Sequence, residues 1–388
     1  MNCLDMFSSL RISVNKPIMI INYIKNLECV FDYAKRTLLV KILVHFMSLK
    51  ILQKELGYTK YILGERLSYY EPSKNIFQKT FAQELSQGIR QKQKSINPKF
   101  FYDEKGSQLF EKICTLPEYY LTRSETNILK QIDGKLQSYL DGNFRLVELG
   151  SGSSQKTRIL IDILTKLQKH VEYFPIDISN TLKNSSAVLE SYYKKLHITG
   201  IIDSYENGLE FVKNYDDMNN LIIFLGSSFG NFDPEKGIRF LQKINSSMKK
   251  GDLFLIGLDL VKDKKVLHQA YNDSQGITAQ FNLNVLSRIN SELGGNFDIS
   301  KFVHYAFYNE NQNKIETYLR SLVKQTVKIP NANLTLEIDE DELIHTENSY
   351  KYTISQIRQM FAMTDYQIKD IWNDDKRYYS LVLLSKND

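Results

Sequence analysis

The chain is poor in the residues that build cross-linked or metal-centred scaffolds. It has three cysteines in 388 residues. Cys3, Cys29 and Cys114 lie far apart with no CxxC spacing, which argues against a disulfide framework, a zinc knuckle or a dithiol pair and suits a reducing, cytoplasmic compartment. The six histidines contain no HExxH pair, so no metal site is expected. Long apolar runs are missing too. The stretch LLVKILVHFMSLKIL (38–52) is broken by Lys41, His45 and Lys50, well short of the ~20 apolar residues of a membrane span. No integral span is expected, and the first residues lack the basic, apolar and small-residue succession of a signal peptide.

Charge of one sign is scarce outside one zone. The formal net charge is +5, and residues 1–75 carry eleven Lys and Arg against six Asp and Glu. That zone accounts for the whole excess, and residues 76–388 sum to zero. A neutral body has no field to attract a phosphate backbone, so nucleic acid is not an expected partner. What the chain does have is apolar material, with 42% hydrophobic and 24% charged residues. That composition supports packed cores, and the length corresponds to two or three units of roughly 150 residues.

Residues 1–75 form a separate basic zone. Leu38, Leu39, Ile42, Leu43, Phe46 and Met47 recur at helical spacing, which predicts an amphipathic helix in a partly helical extension. Its apolar face has three destinations: the protein itself, a membrane surface or a partner protein. From residue 76 helical patterns follow at FQKTFAQELSQGIRQKQ, SQLFEKICTLPEYY and TRSETNILKQIDGKLQSYL. Apolar runs at 144–150, 171–179, 200–205, 221–227 and 252–260 then alternate with helical segments. This predicts an α/β fold with a parallel sheet, its ligands at the carboxyl ends of the strands. Beyond it, 264–294 reads as one long helix, 315–344 as two strands joined by PNAN, and FAMTDYQIKDIW with RYYSLVLLS as a closing helix-to-strand pattern.

The strand-to-helix junction LVELGSGSSQKTRILIDIL carries the strongest local signal. Gly150 and Gly152 permit a tight turn and close backbone approach before a helix N-terminus. A Walker A loop and a GxGxxG dinucleotide turn both need a glycine where Gln155 stands. An S-adenosyl-L-methionine turn needs only an acid followed by a short GxG, which Glu148 and the two glycines satisfy. Asp177 and Asp203 end the next two strands, where ribose hydroxyls and adenine would lie.

Five stretches carry a resemblance to a known family: PKFFYDEKGSQLFEKICTLPEYYLTRSE (98–125), LVELGSGSSQKTR (146–158), FLGSSFGNFDP (224–234), AYNDSQGITAQFNLNVLSRINSELG (270–294) and HTENSYKY (345–352). Over about residues 76–388 the chain resembles the L-histidine Nα-methyltransferases of ergothioneine biosynthesis. The resemblance implies a Rossmann-like class I methyltransferase core (123–261 plus 352–388) with an inserted α+β substrate-binding domain (76–122 plus 262–351). It maps cofactor residues onto Gly150, Lys156, Asp177 and Asp203, to which Gly152 and Ser204 are added. It maps the substrate residues onto Tyr102, Tyr119, Asn231, Tyr271, Glu347 and Ser349. In this pattern the tyrosines of PEYY and AYND hold a carboxylate, the FGN asparagine positions the amine, and Glu347 with Ser349 holds an imidazole. The chain departs from the pattern at Leu121, Ser204 and Asn348.

Methyl transfer from a sulfonium needs a neutral amine in line with the methyl at ~3–3.5 Å, so positioning is the main demand. Asn231 and Tyr102 are the candidate catalytic residues, with water or a tyrosine as proton acceptor. The implied product is trimethylhistidine, made from L-histidine by a monomer. A tryptophan-derived or other amino-acid amine is the alternative substrate, and a nonenzymatic binding protein the alternative class. The basic extension is expected to be dispensable for chemistry.

Overall fold

The computed structural model describes residues 54–55, 57–73, 80–151, 155–179 and 181–387. The helix expected over 38–52, Gly152 and the first part of the basic extension lie outside them. The central feature is a ten-stranded sheet. Its middle is built from β4 (Phe144–Leu149), β5 (Val171–Asp177), β6 (Leu196–Ile202), β7 (Asn219–Phe224) and β8 (Leu253–Asp259), running parallel in the order β6-β5-β4-β7-β8. Every residue of β4 and β8 is buried. The alternation of side chains sends Leu146 to one face and Val147 to the other, and each joins a separate apolar cluster. Each fully buried aliphatic side chain contributes about 1.5–3 kcal/mol relative to exposure, so the sheet supports both layers.

On one side β15 (Tyr379–Lys386) and β14 (Tyr366–Asn373) close the sheet as an antiparallel hairpin against β8. The segment FAMTDYQIKDIW, expected to be helical, is therefore mostly strand; the helix before it, Ile354–Ala362, starts at a Thr353–Gln356 capping box and stops short of Asp365 (φ +56°). On the other side the described part of the basic extension is strand, where the sequence suggested a partly helical segment. β1 (Lys54–Glu55), β2 (Tyr58–Ile62) and β3 (Leu67–Pro72) extend the sheet, with β3 parallel to β6, β2 antiparallel to β3 and β1 antiparallel to β2. Arg66 ties this hairpin down: its backbone N–H donates to Glu190 Oε1 at 2.7 Å, and its guanidinium donates to the carbonyls of Glu190 and Tyr193 at 3.0 and 2.5 Å.

The helices are numbered in chain order: α1 (Phe81–Ile89), α2 (Glu104–Thr115), α3 (Tyr120–Gln131), α4 (Asp133–Gln137), α5 (Gln155–Leu167), α6 (Thr181–Tyr192), α7 (Tyr205–Lys213), α8 (Pro234–Ser247), α9 (Lys264–Tyr271), α10 (Ile277–Leu293) and α11 (Ile354–Ala362). The single helix expected over 264–294 is broken into α9 and α10. At the break Gly276 adopts φ +67°, and the Asp273 carboxylate accepts from the N–H groups of Ile277 and Thr278 at 2.8 Å each, which caps the new helix. The first strand expected over 315–344 is likewise split, into β10 (Lys314–Ser321) and β11 (Gln325–Ile329). β10 sits between β9 (Phe302–Asn309) and β13 (Leu343–Tyr350), while β11 pairs with β12 (Leu334–Ile338). Backbone bonds from Tyr352 N–H to Asp259 C=O (2.9 Å) and from Val261 N–H to Tyr352 C=O (3.0 Å) join the end of β13 to the end of β8.

Candidate active site

At the carboxyl end of β4, Gly150 takes φ +81°, and a Cβ there would stand 2.8 Å from the Tyr205 hydroxyl. The absence of a side chain therefore lets the Tyr205 hydroxyl pack against the turn. Glu148 lies beneath the turn, 5% exposed. It accepts from the Thr157 hydroxyl at 2.9 and 3.0 Å and from the Tyr173 hydroxyl. Burial pushes its carboxyl up to about 7 against those bonds. Asp177, at the end of β5, accepts from Ser179 N–H (2.8 Å) and Ser151 N–H (3.2 Å), and burial raises it to about 6. Asp203 follows β6, 3% exposed. Its Oδ1 accepts from Ser204 N–H at 2.6 Å and Asn207 Nδ2 at 3.1 Å, and its Oδ2 from the Tyr58 hydroxyl at 2.8 Å. The Ser204 hydroxyl is occupied locally, capping α7 through Asn207 N–H at 3.3 Å.

Lys156, on the first turn of α5, forms an ion pair with Glu125 of α3 at 2.5 Å. Glu125 is fully buried and also accepts from Gly226 N–H at 3.0 Å and the Tyr379 hydroxyl at 2.9 Å. One carboxylate thus joins α3, α5, the loop after β7 and β15. In that loop Ser227 sits at φ +62° with a buried hydroxyl that has no partner among the described residues. Three residues on, a Cβ at Gly230 would stand 3.0 Å from the Tyr350 carbonyl. The missing side chain lets the loop lie against Tyr350 of β13, the residue after Ser349, and Asn231 is the next residue of the loop.

The substrate candidates converge around β13. Glu347 and Ser349, two apart on one strand, project to the same side. Asn348 points the other way, accepting from His345 and donating to Asp233 at 3.2 Å, so this departure from the family pattern ties β13 to the head of α8. Burial pushes the Glu347 carboxyl up to about 7, while Lys351 pulls it down. Tyr271 and Ser349 share a hydroxyl–hydroxyl bond of 2.7 Å. Tyr119 stands edge-on to Tyr271 with centroids 6.5 Å apart, and Phe110 links Tyr119 to Tyr102. Tyr102 remains 37% exposed.

Beneath these groups lies a charge network that the sequence reading missed. Lys351 Nζ donates to Ser349 Oγ (2.7 Å), Tyr271 Oη (3.0 Å) and Asp259 Oδ2 (2.8 Å). Asp259 also pairs with Lys262 and accepts from Tyr120 at 2.8 and 2.9 Å. Burial would raise the Asp259 carboxyl, but the two ammonium groups hold it below its ordinary value. Burial lowers Lys262 to about 8; it would lower Lys351 as well, but Asp259 and Tyr271 leave Lys351 raised. Lys351 stands within HTENSYKY and Glu125 at the end of TRSE, so both lay inside quoted stretches without a signal of their own. Asp259 and Tyr58 fell outside them.

A mostly parallel sheet with a glycine turn, acids at successive strand ends and a closing antiparallel hairpin defines a class I S-adenosylmethionine-dependent methyltransferase. The donor set fits that cofactor: Asp177 suits a ribose diol, the turn at Gly150 carries no side chain to block a backbone contact, and the Ser227 hydroxyl has no partner among the described residues. Residues 81–386 match the family described as histidine-specific methyltransferase, SAM-dependent, and the chain belongs to that family. It is 36% identical over 300 residues to a histidine N-alpha-methyltransferase of Mycobacterium tuberculosis, covering 77% of this chain and 92% of that one. It is 28% identical to ergothioneine biosynthesis protein 1 of Neurospora crassa, covering 74% of this chain and 32% of that protein. An L-tryptophan methyltransferase of Psilocybe serbica is 25% identical over 312 residues, covering 74% of this chain and 87% of that one.

Proposed function

We propose that the chain transfers methyl groups from S-adenosylmethionine to the α-amine of L-histidine, three in succession, giving Nα,Nα,Nα-trimethylhistidine for ergothioneine biosynthesis. The observation that carries this reading is the pairing of Glu347 and Ser349 on one face of β13, with Tyr271 bonded to Ser349. An acceptor and a hydroxyl side by side suit the two nitrogens of an imidazole. Tyr119 and Tyr271 would donate to the substrate carboxylate. Asn231 would accept from the amine through its carbonyl, and Tyr102 stands at the open side of the same group of rings. When bound, S-adenosylmethionine supplies an electrophilic methyl on its sulfonium; Gly150, Lys156, Asp177, Asp203 and Ser204, with Gly152, would hold it. No covalent nucleophile is required.

The two-part division at residues 123–261 plus 352–388 and 76–122 plus 262–351 follows the same logic, with the cofactor on the main sheet and the imidazole on the three-stranded one. The proposed enzyme is a monomer, and the sparse, separated cysteines suit the cytoplasm. The test is incubation of the purified protein with S-adenosylmethionine and a panel of histidine, tryptophan and tryptophan-derived amines, read by mass spectrometry. Mono-, di- and trimethylated histidine are expected. Methylation of tryptophan in preference to histidine would overturn the substrate assignment.

A further inference from the structure

The acid expected at the adenine end is engaged from outside the family-matched region. Tyr58 is the first residue of β2, well before residue 81. β3 runs parallel to β6 and β2 runs back against β3, with Tyr58 opposite Pro72 at the carboxyl end of β3. That register carries position 58 to the same edge of the sheet as Asp203, the residue that follows β6. The Tyr58 ring is buried at 9% exposure and packs edge-on against Phe211 of α7, with centroids 4.9 Å apart. Its hydroxyl reaches Asp203 Oδ2 at 2.8 Å.

We infer that Tyr58 is a positioning residue for the adenine end of the cofactor pocket, contributed by a strand hairpin added to the sheet. The inference rests on the reading of Asp203 as the adenine contact. A carboxylate that is to accept from an amine must be held in one orientation by donors that keep it ionised. Ser204 N–H and Asn207 fix Oδ1. The Tyr58 donor on Oδ2 fixes the carboxylate from its other side, so that both oxygens are oriented towards the adenine end. A phenol is a neutral donor, so it orients the acid without quenching its charge as a lysine would. Burial, and then the bond to Asp203, hold the Tyr58 phenol above its ordinary value, so it remains a donor throughout the physiological range. Lys183 on α6 also reaches Glu71 of the hairpin at 3.1 Å, which adds to the Arg66 anchors and keeps β2 and β3 seated.

The test uses Tyr58→Phe in the full chain, which keeps the ring against Phe211, and reads binding by titration calorimetry. S-adenosylhomocysteine is expected to bind about tenfold more weakly, as for loss of a donor to a charged acceptor. 5′-Methylthioadenosine, which lacks the amino-acid end, should lose the same factor, and KM for histidine at saturating cofactor should not move. In an Asp203→Asn background the substitution should add nothing. An unchanged affinity in Tyr58→Phe, a loss confined to S-adenosylhomocysteine, or a full second loss in the Asp203→Asn background would overturn the inference. Failure of the wild-type protein to bind S-adenosylhomocysteine would instead overturn the cofactor reading on which it rests.

Discussion

The two ends of the cleft hold their strand-end carboxylates by different means. At the cofactor end Glu148, Asp177 and Asp203 are bonded to hydroxyls, amides and backbone N–H groups of the described residues. At the substrate end Asp259 is sandwiched between Lys262 and Lys351, with side chains 0%, 3% and 0% exposed respectively. The first arrangement suits neutral hydroxyl and amine groups, and burial raises the Glu148 and Asp177 carboxyls towards neutrality. The second is charge-compensated internally, and its excess ammonium faces Tyr271 and Ser349. The proposed substrate explains the asymmetry: a carboxylate and a polar ring approach the second end, and a sugar and a base approach the first.

Breaking the compensated pair should have the largest effect. Asp259→Asn leaves two buried ammonium groups facing each other, and a loss of about 3–5 kcal/mol is expected in urea unfolding. A midpoint close to wild type would show that the network does not support the fold.

Next comes the acceptor that distinguishes the ends chemically. Glu347→Ala should weaken histidine binding by about 1–3 kcal/mol, because a ring N–H loses its partner, while S-adenosylhomocysteine binds as before. An unchanged KM for histidine would remove Glu347 from the imidazole site.

The smallest effect is one of pH and belongs to the cofactor end. Asp177 loses its proton at about 6 and accepts two hydroxyls best when ionised. Affinity for S-adenosylhomocysteine should therefore rise as the pH is raised from 5 to 7, by about tenfold. The Asp177→Asn variant should bind more weakly at pH 7 with much of that slope removed. A variant with the full slope would assign the titration to Glu148, which is raised to about 7 below the same turn.

Local sequence carried much of this. The runs at β4, β5, β7 and β8 were legible because a strand buried on both faces must be apolar throughout, and the glycine turn was legible because its backbone excludes most side chains. The break at 272–276 was not, since Asp273 and Gly276 sit in a continuous helical periodicity and act only through a cap and a positive φ. Nor was the strand character of 58–72, where LSYYEP alternates too briefly to outweigh the basic, helix-patterned residues before it.

What the sequence determined by itself is the list of chemical groups, the sheet that displays them and the family to which they belong, because apolar periodicity and turn-forming glycines act over a few neighbours. What the tertiary structure decided is which groups meet. Lys351 and Asp259 are 92 positions apart and Tyr58 and Asp203 are 145. No local pattern records such separations; the ends of β8 and β13 and the register of β2 on β3 bring those charges and donors within hydrogen-bonding distance.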